Sequence, residues 1–415
     1  MPLKVARATE AEEMLRDEAF RAAWLRLYKG CPWATAAQSP GFAISWYEAY
    51  KEQYSPLLIC ELSESNALIG LLAVALGPTG QAVLPGDHQA EYKGWLALPS
   101  NGKSFLKASL RALSQETEAG ALLFRYLPCG TPVEGAGRAL GFPWICEIES
   151  QRRPIVRLSS ATEVAEYVRR KTNKIIKNRW NRLRRIGEVR LEQIREGQEF
   201  VPMFDQLIDW YEMRQEMAHG KRPFQADKNK KSWHLELLKE GVLHVTLLKA
   251  GQQVLSALFG LSDGKTYSIM MPVFNPEYAH YSPIALHHLL LVARLQAEGY
   301  AILDLTAGSD PFKERFADEY EELKVLSVYF KQREWIKAKI RQRSRAFAKG
   351  MLSAVGIAPS SVVRTLPRVQ AFLGTFLKAL PKLKRGSSRP SPALPEQEPI
   401  AKLASGNTAK EFPAP

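Results

Sequence analysis

The sequence predicts an α/β (α+β) protein with two similar modules in tandem. At 415 residues, the chain is long enough for two ordinary domains. Its hydrophobic and charged fractions, 46% and 24%, are those of a folded protein with a core. Strand and helix patterns alternate in both halves, and each half has a helix start eighteen residues before its next strand: Lys103 before Ala121, and Pro283 before Ala301. These observations predict one α/β unit that occurs twice, with mixed sheets flanked by helices.

The first half begins with two helical patterns, one around Trp24 and one around Trp46 after the Ser39-Pro40 break. Two apolar runs then predict paired strands about a polar turn at 63–66. The strands of this pair are predicted at 57–62 and 67–76. Further strands are predicted at 92–98, 121–127 and 144–148, and a helix over 103–115.

The second half repeats this order of strands and helices. It has predicted strands at 243–249, 254–261, 266–273, 301–306 and 323–330, and predicted helices at 283–298 and 311–316. We therefore predict an N-terminal module over 1–155 and a C-terminal module over 156–335.

A basic, mainly helical segment, 161–217, opens the second module. Its most basic part reads KTNKIIKNRWNRLRR, and an apolar stripe through Tyr167, Ile175, Trp180 and Leu183 is predicted along it. One interpretation is a solvated helix that packs one face on the domain. The other is a helix that binds the phosphate of a substrate.

The net charge of +14 is concentrated near the C-terminus. Fourteen Lys and Arg face one acidic residue, Glu334, between residues 331 and 386. Residues 387–415 carry three charges of each sign, so the chain before residue 331 is nearly neutral. This distribution argues against a nucleic-acid-binding surface over the whole protein.

Apolar side chains alternate with the basic ones in the tail at 336–386. Ile336, Ile340 and Phe347 fall among the Lys and Arg residues, and a second apolar patch covers 372–380. Such a pattern is typical of a helix at an anionic membrane surface, which we predict for 331–386. A solvated basic helix and a contact with RNA are the alternatives. Residues 387–415, rich in Ser, Pro and Ala, are expected to be disordered.

The sequence lacks the signals of a membrane-spanning, secreted or metal-binding protein. No apolar run reaches about 18 residues, and the acidic N-terminus, with Glu10 and Glu12, is not ordered like a signal peptide. The four cysteines and seven histidines do not have metal-site spacing. We therefore expect a cytoplasmic protein without a metal, peripheral to the inner membrane if the tail binds lipid.

The first motif is a strand, a turn and a helix over 270–300. The chain turns at Asn275-Pro276, and an apolar helix begins at Ser282-Pro283, where serine is a good N-cap and proline suits the first helical position. The start of a helix presents free backbone N–H groups and partial positive charge. These would suit the pyrophosphate of a coenzyme A thioester.

The second motif is LDLTAGSDPFKERFAD, over 303–318. A buried strand leads into a turn at Gly308, where glycine allows the backbone to approach a ligand closely. The short helix that follows carries Phe312 and Lys313. Lys313 could pair with a phosphate or carboxylate of the donor.

These motifs resemble the CelD-like acetyltransferases, members of the GNAT superfamily that are associated with bacterial polysaccharide biosynthesis. The similar positions are Asp304, Gly308, Asp310, Phe312, Lys313, the Tyr281-Ser282-Pro283 step, the basic helix 179–187, Pro40 with Trp46, and the run 86–97. The resemblance covers about residues 15–330. It implies two GNAT-like halves and transfer of an acetyl or other acyl group from acyl-CoA to a sugar, polysaccharide or cell-envelope precursor.

The resemblance also implies a set of site residues. Donor binding is expected at Tyr281, Ser282, Gly308, Phe312 and Lys313. Direct acyl transfer also needs a base and donors for the oxyanion. The catalytic residues that we predict are Glu91, Asp304 and Lys313, and Asp87 and His88 are further candidates for the base.

Each candidate residue also has a purely structural interpretation. Asp304 could be paired with a buried cation such as Arg315, Glu91 could be an ordinary surface residue, and Tyr281 could be a packed aromatic. Lys313 could be a solvated lysine on a short helix.

Two other functions stay open. The architecture is similar to that of Fem-type aminoacyl transferases, which implies aminoacyl-tRNA as an alternative donor. A scaffold that has lost catalysis is the second. In addition, 275–282 contains no glycine, whereas the usual GNAT pyrophosphate loop is rich in glycine.

Overall fold

The computed structural model contains two β-sheets with helices packed on them. It describes residues 3–133, 144–195, 200–308 and 310–354. The first sheet has the order β1-β2-β3-β4, and β5 also pairs with β3. Its strands, all antiparallel, are β1 (Leu3–Arg7), β2 (Ser55–Leu62), β3 (Leu68–Leu76), β4 (Ala82–Val83) and β5 (Leu96–Ala97). The apolar runs of β2 and β3 are buried on both faces, as their continuous hydrophobic sequences predict.

The second sheet has eight strands. They are β6 (Ala121–Leu127), β7 (Ile145–Arg157), β8 (Val189–Ile194), β9 (Leu243–Ala250), β10 (Gln253–Ser262), β11 (Thr266–Phe274), β12 (Ile302–Asp304) and β13 (Glu319–Tyr329). Their order is β6-β13-β7-β12-β11-β10-β9-β8, and only β11 and β12 are parallel. Because β13 lies between β6 and β7, the two halves of the chain interlock, and the predicted boundary at 155 and 156 falls within β7.

Helices pack on both sheets. They are α1 (Thr9–Arg16), α2 (Glu18–Gly30), α3 (Pro40–Tyr50), α4 (Gly102–Glu116), α5 (Ala161–Lys171), α6 (Lys174–Leu183), α7 (Phe200–His219), α8 (Pro223–Ala226), α9 (Lys230–Lys239), α10 (Pro283–Ala297), α11 (Pro311–Phe316) and α12 (Gln332–Ala354). Polar caps start several of them. The Ser39 hydroxyl accepts from the Phe42 N–H at 3.2 Å before α3, and the Asn173 side chain accepts from Ile176 at 3.0 Å before α6.

The repeated spacing is present in the structure. α4 begins 19 residues before β6, and α10 begins 19 residues before β12. Most other predicted elements lie within a few residues of those observed. The predicted helical segment 161–217, however, also contains β8, which pairs with β9.

Three other predictions differ from the structure. The strand predicted at 92–98 is reduced to β5 and a single bridge between Lys93 and Arg125. β7 is much longer than predicted, because its additional residues are charged and give no apolar pattern. They are stabilised in the strand by opposite charges on β13, where Glu322 and Glu321 lie opposite Arg152 and Arg153. In the predicted apolar stripe, Ile176 is buried and Ile175 is exposed.

Two hydrophobic clusters hold these layers together. One combines the first half with α7, α9 and the adjoining strands; in it, the rings of Phe42 and Trp233 meet edge to face, with centroids 5.4 Å apart. The other packs α5, α6 and α10 on the second sheet through residues such as Tyr167, Ile176 and Leu289. The helices that carry the predicted motifs are thereby held against one sheet.

Candidate active site

Asp304, the last residue of β12, lies at the centre of a buried hydrogen-bond network. The side chain is fully buried. Its Oδ2 accepts from the Tyr92 hydroxyl, from Arg153 Nη1 at 3.2 Å and from Ser268 Oγ at 3.1 Å. Its Oδ1 accepts from the Thr306 backbone N–H at 2.7 Å. With four donors around it, this carboxylate is suited to holding the strand ends in place.

The buried cation beside Asp304 is Arg153, so the predicted pairing with Arg315 is wrong. Arg153 comes from the charged part of β7, and its Nη2 also lies 2.6 Å from Glu321 Oε2. Burial alone lowers the pKa of Arg153, but the neighbouring charges, Asp304 foremost, outweigh it and raise the pKa. Arg315 lies over the ring of Phe316, 5.1 Å from its centroid.

Tyr92 is held in its neutral form by the same network. Burial, and then the charge of Asp304, raise the pKa of its hydroxyl well above the usual value. Tyr92 therefore acts as a hydrogen-bond donor that ties the first half of the chain to β12.

Lys313, on α11, is tied to the turn that follows β12. Its Nζ donates to the Thr306 carbonyl oxygen at 3.1 Å, to Thr306 Oγ1 at 2.8 Å and to the Ala307 carbonyl oxygen at 2.9 Å. Burial lowers the pKa of Lys313, while the charges of Glu91, Asp304 and Asp310 oppose that shift. The ammonium group is thus half-buried and fixed against the turn.

The turn itself has an unusual backbone. Thr306 has φ 63° and Gly308 has φ 110°, and the second value is one that residues other than glycine rarely adopt. Since the Thr306 hydroxyl accepts from Lys313, its own proton is free to be donated elsewhere. Thr306 therefore offers a hydrogen-bond donor next to a half-buried positive charge.

Glu91 reaches the same region from the first half. Its side chain is 45% exposed and lies 3.8 Å from Arg125 Nη2, and its charge acts on Lys313. The structure thus brings the three predicted catalytic residues, Glu91, Asp304 and Lys313, to one place.

The other two candidate bases lie elsewhere. Asp87 and His88 line a separate pocket, where Asp87 Oδ2 is 3.2 Å from His88 Nδ1. His88 lowers the pKa of Asp87 through that contact, against the effect of burial.

The start of α10 differs from the predicted cap. Ser282 precedes α10, but it has a left-handed backbone, with φ 50°, and its side chain does not cap the helix. The Ser282 hydroxyl instead accepts from Arg179 Nη1 at 2.6 Å. The basic helix α6 therefore brings a guanidinium group to the N-terminus of α10.

Tyr281 and Phe312 both lie close to α10. The ring of Tyr281 is stacked with that of Tyr278, with centroids 6.4 Å apart. Phe312 meets the His288 ring of α10 edge to face at 5.7 Å and packs on Phe316 at 4.7 Å. Phe312 therefore fixes α11, with Lys313, against α10.

The start of α10 offers the phosphates of coenzyme A mainly a positive charge. Residues 276–281 form a 3₁₀ helix, Pro283 has no backbone N–H, and the Ala285 N–H donates to the Ser282 carbonyl oxygen at 3.0 Å. These features leave few free N–H groups for a phosphate. The side chains here thus suit a phosphate through the positive charge of Arg179 rather than through the backbone of a glycine-rich loop. Lys174 and Lys177 are exposed on the same helix.

Sequence reasoning missed Arg153, Ser268 and Thr306. Arg153 sits in a charged run without any apolar pattern, and Ser268 is one serine in a strand, so neither carried a signal. Thr306 did carry one, because an Asp side chain often accepts from the N–H two residues later. In the part of the chain that the structure describes, no group of three or more His, Cys, Asp or Glu could hold a metal ion.

Part of the second half of the chain matches a known domain family. Residues 170–314 match the family described as an acetyltransferase (GNAT) domain. No curated protein matches the sequence.

Solved structures of similar fold cover most of the chain. A conserved protein of unknown function from Bacteroides thetaiotaomicron is 13% identical, with TM-score 0.52, over 75% of this chain and 97% of that one. FemX is 10% identical, with TM-score 0.50, over 73% of this chain and 95% of that one. A tandem GNAT protein from the clavulanic acid biosynthesis pathway is 10% identical, with TM-score 0.42, over 79% and 99%.

Identities this low bear on the fold alone. The predicted fold class, α/β with mixed sheets flanked by helices, is confirmed, and the residues that match the GNAT domain lie in the second half of the chain. The basic tail is helical as far as Ala354, and its remainder, including 372–380 and 387–415, lies outside the described residues.

Proposed function

We propose that the protein transfers an acyl group from acyl-CoA, of which acetyl-CoA is the simplest, to an amine or hydroxyl of a saccharide or cell-envelope precursor. One observation carries the proposal: within the acetyltransferase domain, the half-buried Lys313 is held against the turn 306–308, where the pairing of Thr306 Oγ1 with Lys313 leaves a hydroxyl proton free. The resemblance to CelD-like acetyltransferases supports the saccharide acceptor.

The donor would supply an activated thioester carbonyl when it is bound. Arg179, at the N-terminus of α10, supports the binding of its phosphates. Phe312 keeps α11 against α10, so that the phosphate-binding end and the Lys313 turn form one rigid unit.

Each residue of the cluster has a distinct role in this proposal. Thr306 Oγ1 donates to the carbonyl oxygen as negative charge develops, and the nearby Lys313 charge stabilises that oxygen. Glu91, which is accessible and near Lys313, accepts the proton of the acceptor as its nitrogen or oxygen bonds to the acyl carbon; the C–S bond then breaks, and the thiolate takes up a proton and leaves as the thiol. Asp304 acts as a positioning residue, since it holds the Thr306 backbone.

A second candidate is aminoacyl-tRNA as the donor. The observation that favours it is the run of exposed cations on α5 and α6, including Arg169, Lys174 and Lys177, which a nucleic acid could contact. The fold shared with FemX is compatible with this donor, although it bears on the fold alone.

The two donors are separated by one experiment. Purified full-length protein is incubated with short-chain acyl-CoAs and, separately, with charged tRNA, in the presence of saccharide and amine acceptors, and release of thiol or of tRNA is followed. We expect thiol release that depends on acceptor and is lost in Thr306→Val and Lys313→Ala. Release of tRNA alone would replace the first candidate with the second. No turnover of either donor, in protein whose circular dichroism is that of a folded α/β chain, would favour a scaffold.

We also propose that the tail places the enzyme at an anionic membrane. Ile336, Ile340 and Phe347 are exposed and lie on one face of α12, while Trp335 Nε1 on another face donates to Glu147 Oε1 at 2.8 Å. An exposed apolar face among basic residues supports binding to anionic lipid. Within the described residues, no helix has the length and apolarity needed to cross a bilayer.

A further inference from the structure

A pocket of about 900 Å³ lies outside the Asp304 cluster. One wall comes from the first half: Trp46 and Tyr50 on α3, then Tyr54 and the segment 87–89. The opposite wall is the loop that leads from α7 through α8 to α9, residues 220–230. Its size is in the range of sites for small organic ligands.

The first wall presents the ring of Tyr54, which is backed by two buried aromatic residues. Tyr54 is half-buried and rests on the fully buried Trp46, with ring centroids 5.0 Å apart. Trp46 is in turn stacked on Tyr50 at 5.2 Å. A rigid aromatic face of this kind suits a ligand that has an apolar face and a polar edge, which is the construction of a sugar ring.

Two carboxylates form the polar part of the pocket. Asp227 Oδ2 accepts from the Tyr50 hydroxyl at 2.7 Å and from Gln89 Nε2 at 2.8 Å. Asp87 Oδ2 accepts from the Tyr54 hydroxyl at 3.3 Å. Asp227 Oδ1 accepts from the Asn229 N–H at 3.1 Å and has capacity for one further donor, and Asp87 Oδ1 also has acceptor capacity, so a sugar hydroxyl could donate to either oxygen.

Cations at the rim outnumber these carboxylates. Arg222 is engaged by Glu216, and Lys230 lies over the Phe224 ring, 5.0 Å from its centroid. Lys221 and Lys228 are exposed, and neither has an ion pair among the residues that the structure describes. The rim therefore favours a ligand that carries negative charge.

One short stretch of chain, residues 87–92, connects the pocket to the Asp304 cluster. Asp87 and Gln89 line the pocket, whereas Glu91 and Tyr92 belong to the cluster. We propose that the pocket binds an anionic saccharide, a sugar bearing carboxylate or phosphate, and presents it to Glu91 as the acyl acceptor. This acceptor role rests on the function proposed above, whereas the binding itself does not.

Calorimetry on the full-length protein without any acyl donor tests the pocket. The probes are a glucuronate-containing oligosaccharide, a sugar phosphate, and a neutral oligosaccharide of matched length. We expect saturable binding of at least one anionic probe, about tenfold tighter than the neutral one. Binding of the first probe alone or of the second alone tells carboxylate from phosphate recognition.

Variants place the ligand in this pocket. Tyr54→Ala and Asp227→Asn should weaken binding by about tenfold or more, and Lys221→Ala with Lys228→Ala should remove the preference for anionic probes. Tyr320→Ala, at an exposed tyrosine outside the pocket, is the matched control and should bind like the wild type. Thermal unfolding of each variant identifies any that fail to fold, and Tyr54→Phe then replaces a misfolded Tyr54→Ala.

Equal affinity for neutral and anionic probes would overturn the inference, as would binding that is unchanged in both Tyr54→Ala and Asp227→Asn. The absence of binding by every probe would do the same. If binding fails while thioester turnover persists, only the pocket assignment is wrong. If the anionic probe binds and no donor is turned over, only the proposed function is wrong.

Discussion

The hydroxyl of Tyr92, in the first half of the chain, donates a hydrogen bond to the carboxylate of Asp304, at the end of β12 in the second half. The two residues are 212 positions apart. This contact joins the segment that carries Glu91 to the turn that carries Thr306, so the candidate site exists only when both halves are folded together.

Tyr92→Phe removes this contact and leaves Asp304 with three donors. We expect the free energy of unfolding to fall by about 1–2 kcal/mol, since a buried charge loses one hydrogen bond, and transfer activity to fall as well. Tyr47→Phe is the matched control: its buried hydroxyl donates to the Val74 carbonyl oxygen at 2.8 Å, away from the site. Urea denaturation and turnover are measured for both. Equal loss of activity in the two variants would show that only stability is affected.

Lys313→Ala should lower transfer strongly and leave the fold intact. A charge-assisted contact worth about 2–3 kcal/mol corresponds to a loss of about 30- to 150-fold in kcat/KM. Lys231→Ala serves as the control, because Lys231 is on the surface and pairs with Asp205. Near wild-type kinetics in Lys313→Ala would remove this lysine from the site.

Gly308→Val tests the backbone of the turn. A β-branched residue is strained at φ 110°, so we expect the turn to change shape and transfer to be abolished. Gly264→Val introduces the same residue at φ 83° in an exposed hairpin turn, with open space around it. This control should lose stability but keep its activity. A Gly308→Val protein with normal kinetics would contradict the role of the turn.

The stability of the protein should fall in mild acid. Burial lowers the pKa of His234, His287 and His288 to about 3. In the unfolded chain, these groups bind protons below about pH 6.5. The unfolded state therefore binds more protons between these values, so the free energy of unfolding decreases as the pH falls, by about 1.4 kcal/mol per pH unit for each histidine.

Urea denaturation at several pH values from about 7 to about 5 measures this slope. His288→Gln should reduce it by the contribution of one proton, and His219→Gln, at an exposed position, should not change it. A stability that is flat over this range would show that the buried imidazoles are not held neutral.

Truncation after residue 330 tests the membrane proposal. Each cation near an anionic surface can contribute about 1 kcal/mol before losses to distance and screening. We expect full-length protein to sediment with anionic but not neutral liposomes, and truncated protein with neither. Ile340→Ser with Phe347→Ser, at exposed positions on α12, should weaken sedimentation without changing the net charge of the tail. Equal sedimentation of full-length and truncated proteins would contradict the tether, and binding of RNA in place of lipid would favour the competing interpretation.

Local patterns determined most of the secondary structure. The apolar runs of β2, β3, β9 and β10, and the Ser39-Pro40 start of α3, are signals that lie within a few neighbouring residues. The motif from Asp304 to Lys313 was also visible, because the strand, the glycine turn and the short helix follow one another along the chain. Interactions between residues that are close in sequence are enough to favour these elements.

The length of β7 was decided by tertiary structure, because its arginines are stabilised in a strand only by the glutamates of β13, 168 positions away in the case of Arg153 and Glu321. The partner of Asp304 was decided in the same way. Arg315, close in sequence, was the natural expectation, but the sheet order places β7 next to β12 and so brings Arg153 to the buried carboxylate. By itself, the sequence indicated Glu91, Asp304 and Lys313 as candidates for chemistry at this site, but not Thr306. Which of them meet depends on strand pairing between distant segments, because a buried charge must find its partner in space and not along the chain.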